Sequence, residues 1–273
     1  MGQFEFLRQL SLNPANTVIG LVRNVKSVEA KAKTELNRTN EASEATARIT
    51  GGKLDYLISN GAYLHKESGL VNFGKLGENP AALEEELLAG CKTNIIGNIH
   101  LFNLFLPLLL KGTQKKVVFI SSGHADLDLI SKYEVDITGP YALGKAATNV
   151  VVAKFHAEHA KHGVLFMSIS PGVVDTGHFD PSGRKILDFD FPVPNKIHRS
   201  DTKLIWCKRI VTEEEQQSFA GISAKFQQYA PHFKGPITPE ESVKKVISVY
   251  EKASVANGDG GSFVSHLGTK QWL

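Results

Sequence analysis

A chain of 273 residues, 42% hydrophobic and 22% charged, has the composition of one globular α/β domain with a sizeable core, which excludes a disordered chain. Its net charge of +3 and pI near 8.7 come from Lys and Arg interspersed with Asp and Glu, so neither points to a nucleic-acid partner. Two distant cysteines, Cys91 and Cys207, lack metal-ligand spacing and argue for a reducing compartment; with no signal-peptide pattern, a cytoplasmic location is expected.

In chain order, Phe4, Phe6, Leu7 and Leu10 are spaced as on a helix that Asn13-Pro14 stops, and Thr17 to Val22 predicts a strand ending at Arg23-Asn24. Val25 to Lys53 is polar and reads as one or two surface helices broken by Gly51-Gly52. Leu54 to Ser59 predicts a second strand, ending in the small residues Asn60-Gly61-Ala62, and Tyr63 to Asn79 reads as a loop. From Pro80 a helical pattern runs to about Leu110 with Asn94 in its middle. Its most apolar stretch, Leu101 to Leu110, holds Asn103 and Pro107 and is too short to span a bilayer, so no membrane partner is expected. The apolar run Val117 to Ser121 suits a buried parallel strand, and a helix carrying Tyr141 and Lys145 follows to about Lys161. On that helix His156, His159 and His162 sit among Lys and Glu, a solvated face rather than a zinc site. Val164 to Ser170 predicts a strand closed by Pro171-Gly172. Thr212 with Glu215 marks a helix start running to about Tyr229, and Thr238-Pro239 marks another running to about Ala253. Ser262 to His266 predicts the last strand. Strands alternating with helices imply βαβ units and a doubly wound parallel sheet covered on both faces, in one domain spanning 1–273.

Ligands of such sheets sit at the carboxyl ends of the strands, where Arg23, Asn60, Ser122 and Pro171-Gly172 fall. Tyr141 and Lys145, four apart, project from one helix face near the same edge. A phenol with an ordinary pKa near ~10 is a poor acid or base at neutral pH, and an adjacent ammonium stabilises its phenolate. Arg23 closes the strand at Thr17 to Val22 with no acid in Val22-Arg23-Asn24, and in a dinucleotide-binding sheet an Arg so placed suits the 2′-phosphate of NADP better than NAD.

The sequence resembles the short-chain dehydrogenase/reductase family over most of its length: Asn60-Gly61-Ala62, Asn94 in TNIIG, Ser122 after a strand, Tyr141-x-x-x-Lys145, and PGVVDT from Pro171 to Thr176 follow the family order. YALGKAATNVVVAKFHAE and GGSFVSHLGTKQWL look more loosely like the fungal norsolorinic acid ketoreductase-type branch. The resemblance implies a Rossmann-like fold and NADP-dependent reduction of a ketone to an alcohol, or the reverse, on a small-molecule carbonyl or alcohol substrate, possible in secondary metabolism. It implies that Tyr141 is the proton donor or acceptor, that Lys145 lowers its pKa and binds the nicotinamide ribose, and that Ser122 orients the carbonyl. Asn94 would hold a water in a proton relay, Asn60 and Gly61 would pack beside the adenosine ribose, and Val174 and Thr176 would contact the carboxamide. Residues 173–235 would form the substrate lid, with Phe179, Phe189, Phe191 and Trp206 as pocket candidates, and a homo-oligomer would use the helices beginning near Pro80 and Tyr141.

Three features depart from the family pattern. MGQFEFLRQL reads as the helix after the family's Gly-rich turn, so the first strand and that turn are expected to be missing, as is a third strand between Asn24 and Leu54. Arg184 to Arg209 reads as an irregular insertion. A catalytically impaired remnant or scaffold that cannot hold the dinucleotide tightly is the alternative expectation.

Overall fold

Four parallel strands in the order β1-β2-β3-β4 form the sheet of this computed structural model: β1 Tyr56–Ser59, β2 Lys116–Ile120, β3 Leu165–Ser170 and β4 Phe263–Ser265. The structure describes residues 2–21, 39–64, 69, 71–175, 221–222 and 224–273. The helices are α1 Gly2–Leu10, α2 Thr39–Thr50, α3 Phe73–Leu76, α4 Pro80–Gly90, α5 Gly97–Leu109, α6 Leu127–Lys132, α7 Gly139–His159 and α8 Pro239–Lys252, with further helical residues at 221–222 and 224–229.

Strand alternation distributes the core to two faces. Val118 and Ile120 of β2 join Leu165, Met167 and Ile169 of β3 under Phe6 of α1 and Val243, Val246 and Tyr250 of α8. Val117 and Phe119 point the other way, to Leu57, Phe166, Phe102 and Phe105 of α5 and Val152 of α7. Every residue of β2 and β3 is buried, which is why these runs are mainly apolar, with Ser168 and Ser170 the small polar residues of β3. Lys116 is the charged exception: its ammonium donates to the carbonyls of Tyr250 (3.1 Å) and Glu251 (2.9 Å), capping the last turn of α8, and burial lowers its pKa.

Helix ends follow their residues. Thr238 caps α8 by accepting from the Glu241 amide at 3.1 Å, with Pro239 opening the helix, and Gly51 and Gly52 close α2 with φ of 63° and 80°. Several predicted elements differ. Residues 17–21 form no strand, because no neighbouring strand among the described residues offers them a ladder. Tyr63 to Asn79 is not all loop, since Asn72 caps the short α3. Pro107 sits inside α5 without ending it. His156 and His159 are not solvated: His156 packs on Gly260 and Gly261, and His159 lies against Phe155 and Phe166, leaving His162 exposed. The insertion and most of the proposed lid, residues 176–220, lie outside the described residues, as do Arg23 and 24–38; the described remainder of the interval where a third strand is missing, residues 39–54, holds α2 and no strand. The lid's two ends do meet, through a parallel bridge between Val174 and Ile237. No helix among the described residues is long and apolar enough to cross a membrane.

Candidate active site

The carboxyl end of β2 delivers two serines to opposite sides. Ser121 is buried and donates to Asn149 of α7 at 2.8 Å, a side-chain partner rather than backbone. Ser122 turns the other way, accepts from the His124 amide at 3.3 Å and hydrogen-bonds the Tyr141 phenol.

Tyr141 occupies the first turn of α7, just after Pro140, and Lys145 follows one turn on. The Lys145 ammonium is 2% exposed, donates to the Ile120 carbonyl at 2.5 Å, and lies 4.6 Å from the Phe119 ring centre and 5.6 Å from that of Tyr141. Burial brings its pKa down to about 7. Lys145 was expected to lower the Tyr141 phenol, and here the balance is different: burial pushes the phenol up to about 12, against a smaller opposing effect of the Ser122 hydrogen bond. The ammonium is directed to the strand-end carbonyl instead of the phenol oxygen, so its charge does little for the phenolate.

Asn94 sits in a wide π-turn, Cys91–Ile96, that joins α4 to α5. Its side chain takes both polar groups of the Tyr63 peptide, accepting from the amide at 2.6 Å and donating to the carbonyl at 2.9 Å. Its own carbonyl accepts from Asn98 and from the Thr148 hydroxyl, each at 2.7 Å. Asn94 therefore ties the chain leaving β1 to α7 through protein partners. π-Turns concentrate at functional sites because they aim a residue that a regular helix would turn away. Gly144 makes the approach possible, since a Cβ there would lie 2.9 Å from Asn94 Nδ2.

Asn60 and Gly61 follow β1 at the same sheet edge, with Asn60 half-buried and Gly61 exposed. At the end of β3, Gly172 has φ of 81°, and the space of its absent Cβ is filled by the ring of His266, 2.8 Å away. Val173 and Asp175 bond Ile237 through backbone, which leaves the amide and carbonyl of Val174 on the opposite edge. Thr176 and Arg23 lie outside the described residues.

Tyr141, Lys145, Ser122 and the outward edge of Val174 lie at the carboxyl ends of β2 and β3 and fit the nicotinamide end of a dinucleotide. Among the described residues no Gly-rich turn leads from a strand into a helix to cradle the phosphates. Sequence reasoning missed His124, Thr138, Gly144 and His266. Gly144 was legible as a helix-interior glycine beside Lys145, whereas the histidines gave no signal. His124 Nδ1 is 2.7 Å from the Thr138 hydroxyl, and burial holds its pKa near a value of about 4. His266 is likewise down to about 4 by burial, with Nδ1 unpartnered. Among the described residues no cluster of His, Cys, Asp and Glu is arranged to hold a metal.

A parallel sheet covered on both faces, with Ser, Tyr and Lys converging at its carboxyl edge, defines an oxidoreductase of the Rossmann-like class. The chain belongs to the short-chain dehydrogenase/reductase family: residues 9–186 match the short chain dehydrogenase family. It is 45% identical to the short chain dehydrogenase virK of Hypocrea virens over 99% of this chain and 95% of that protein. It is 40% identical, with the same coverage, to the short-chain dehydrogenase/reductase iacC of Pestalotiopsis fici. In fold it is similar to an NADPH-bound carbonyl reductase from chicken fatty liver, with a TM-score of 0.56 at 17% identity over 97% of this chain and 81% of that one. The carbonyl reductase Sniffer of D. melanogaster gives 0.58 at 15% identity, over 97% and 82%.

Proposed function

We propose that the protein is an NADP-dependent reductase that converts a small-molecule ketone to an alcohol, with a role in secondary metabolism. The observation that carries this reading is the convergence of Ser122, Tyr141 and Lys145 at one strand end. Two supports are weaker: no acidic residue follows Val22-Arg23, and the chicken carbonyl reductase of similar fold binds NADPH. NADPH, when bound, would supply the hydride and be left as NADP. Lys145 would hold its nicotinamide ribose, Asn60 and Gly61 its adenosine ribose, and Val174 and Thr176 its carboxamide, with Arg23 beside the 2′-phosphate.

The chain's own contribution is proton handling. With its pKa near 12, the Tyr141 phenol keeps its proton at neutral pH, the state that a general acid needs. Ser122 and Tyr141 together would donate to the substrate oxygen. As charge develops there, the phenol O–H bond breaks and the proton moves to the substrate, leaving a phenolate. The phenolate would then be reprotonated from solvent, with Lys145 near it in the same pocket. Asn94 holds the Tyr63 segment beside this path.

Titrating the purified protein with NADPH, followed by fluorescence, tests the reading: saturable binding is expected, and its absence would favour a scaffold of the same fold. Tyr141→Phe should lower kcat at least about a hundred-fold with NADPH affinity retained; an active variant would overturn the role given to Tyr141. The same reading extends to assembly. Leu88, Leu143 and Val150 are exposed, and an apolar groove of about 570 Å³ lies between α4 and α7, so we propose a homo-oligomer through these helices. Light scattering on the wild type and Leu143→Glu would show whether it forms.

A further inference from the structure

Thr138 adopts a conformation that a β-branched residue rarely takes. Its φ of 60° and ψ of 26° are left-handed, and it stands where α7 begins. A threonine at that position ordinarily bonds an amide of the first helical turn, but Thr138 makes no such cap. Its hydroxyl instead meets His124 Nδ1 at 2.7 Å. His124 belongs to the single 3₁₀ turn Gly123–Ala125 that starts at Ser122, and its amide donates to the Ser122 hydroxyl. Its ring also stands edge-on to Phe226 of the helical residues 224–229, at 6.1 Å between centroids. One imidazole thus joins the Ser122 turn, the start of the Tyr141 helix and the helix beside them.

The start of α7 is confined on its other side as well. A Cβ on Gly139 would lie 2.4 Å from the Phe73 ring, and Pro140 fixes the backbone that leads into Tyr141. The tie from His124 to Thr138 is the polar link that sets how far this first turn stands from Ser122. We propose that His124 and Thr138 act as a positioning pair that holds the Ser122 hydroxyl and the Tyr141 phenol at one distance from a shared substrate oxygen. This rests on the reductase reading above and adds to it two residues that touch neither substrate nor cofactor. The left-handed backbone of Thr138 is the conformational cost of aiming its hydroxyl at the imidazole instead of at its own helix.

The test is a set of variants of the full chain: His124→Ala, Thr138→Val, the double substitution, and His124→Asn, whose amide reaches the threonine hydroxyl from the Nδ1 position. Each single loss should lower kcat by about ten- to a hundred-fold, with the KM for NADPH within about two-fold of wild type. The double variant should lose no more than the worse single one, and His124→Asn should recover most of the loss. A Thr138→Val variant with wild-type kcat, or multiplicative losses in the double variant, would overturn the pair. A wild type that reduces no carbonyl would sink the reductase reading instead. In that event urea denaturation of the same four proteins still decides the pair: sub-additive stability losses uphold it and additive ones refute it.

Discussion

β2 and residues 17–21 look alike as sequence, each a short apolar run closing on polar residues, yet one becomes a fully buried strand of the sheet and the other stays irregular. The difference lies in their neighbours. β2 is bonded to β1 on one side and β3 on the other, so each of its amides and carbonyls has a ladder to enter. Residues 17–21 enter no ladder with any described strand. An apolar run is an offer to form a strand, and a partner's hydrogen bonds decide whether it is taken.

The largest way to break this contrast is proline. Val118→Pro removes a ladder amide inside the central strand and should cost more than about 3 kcal/mol, enough to abolish cooperative unfolding. Thr17→Pro should cost less than about 0.5 kcal/mol. If urea denaturation shows both to be severe, residues 17–21 are strand in solution and the contrast fails.

Gly144→Ala probes the well-formed side more gently. Its Cβ would press on Asn94 at 2.9–3.1 Å, and strain of about 1–3 kcal/mol should outweigh the helix-propensity gain of roughly 1 kcal/mol. We expect a Tm lower by a few degrees and a larger proportional loss of NADPH binding, because the displaced helix carries Lys145; an unchanged Tm would show that α7 and the π-turn can part freely.

The last expected effect is on pH. His124 and His266 are both neutral in the fold with pKa values near 4, against about 6.5 unfolded. The unfolded chain therefore takes up protons first as pH falls. Their contribution is intact above about 6.5 and is lost progressively as pH falls through about 4. Glu241 and Lys245 stand near His266 and act on it in opposite directions. Tm measured from pH 7.5 to 4 should decline, and His266→Gln should flatten part of the decline; parallel curves would assign it to other groups.

The same contrast explains what could be read from the sequence. The strands at 56–59, 116–120, 165–170 and 263–265 and the helix around Tyr141 were legible because their signals are local: apolar runs, caps, and a four-residue spacing. Ser122 was separable from Ser121 by strand alternation, and the structure directs the two hydroxyls to different partners. The failure at 17–21 came from a pairing that local pattern does not contain. The direction of the Lys145 ammonium, the burial of His156 and His159, and the link from His124 to Thr138 depend on groups far apart in the chain, so no spacing rule reveals them.

The π-turn at Cys91–Ile96 has a consequence in register. It carries one residue more than a regular turn would, and each residue of a helix is worth about 100° of rotation. Deleting Thr93 would let α4 and α5 run on as one unbroken helix with better local bonding. It would also swing the whole Pro80–Gly90 segment by about that angle relative to α5, moving the groove-lining Leu83 and Leu87 off the side that meets α7. The extra residue thus works as a phase shifter, letting one continuous rod present its two halves to different neighbours.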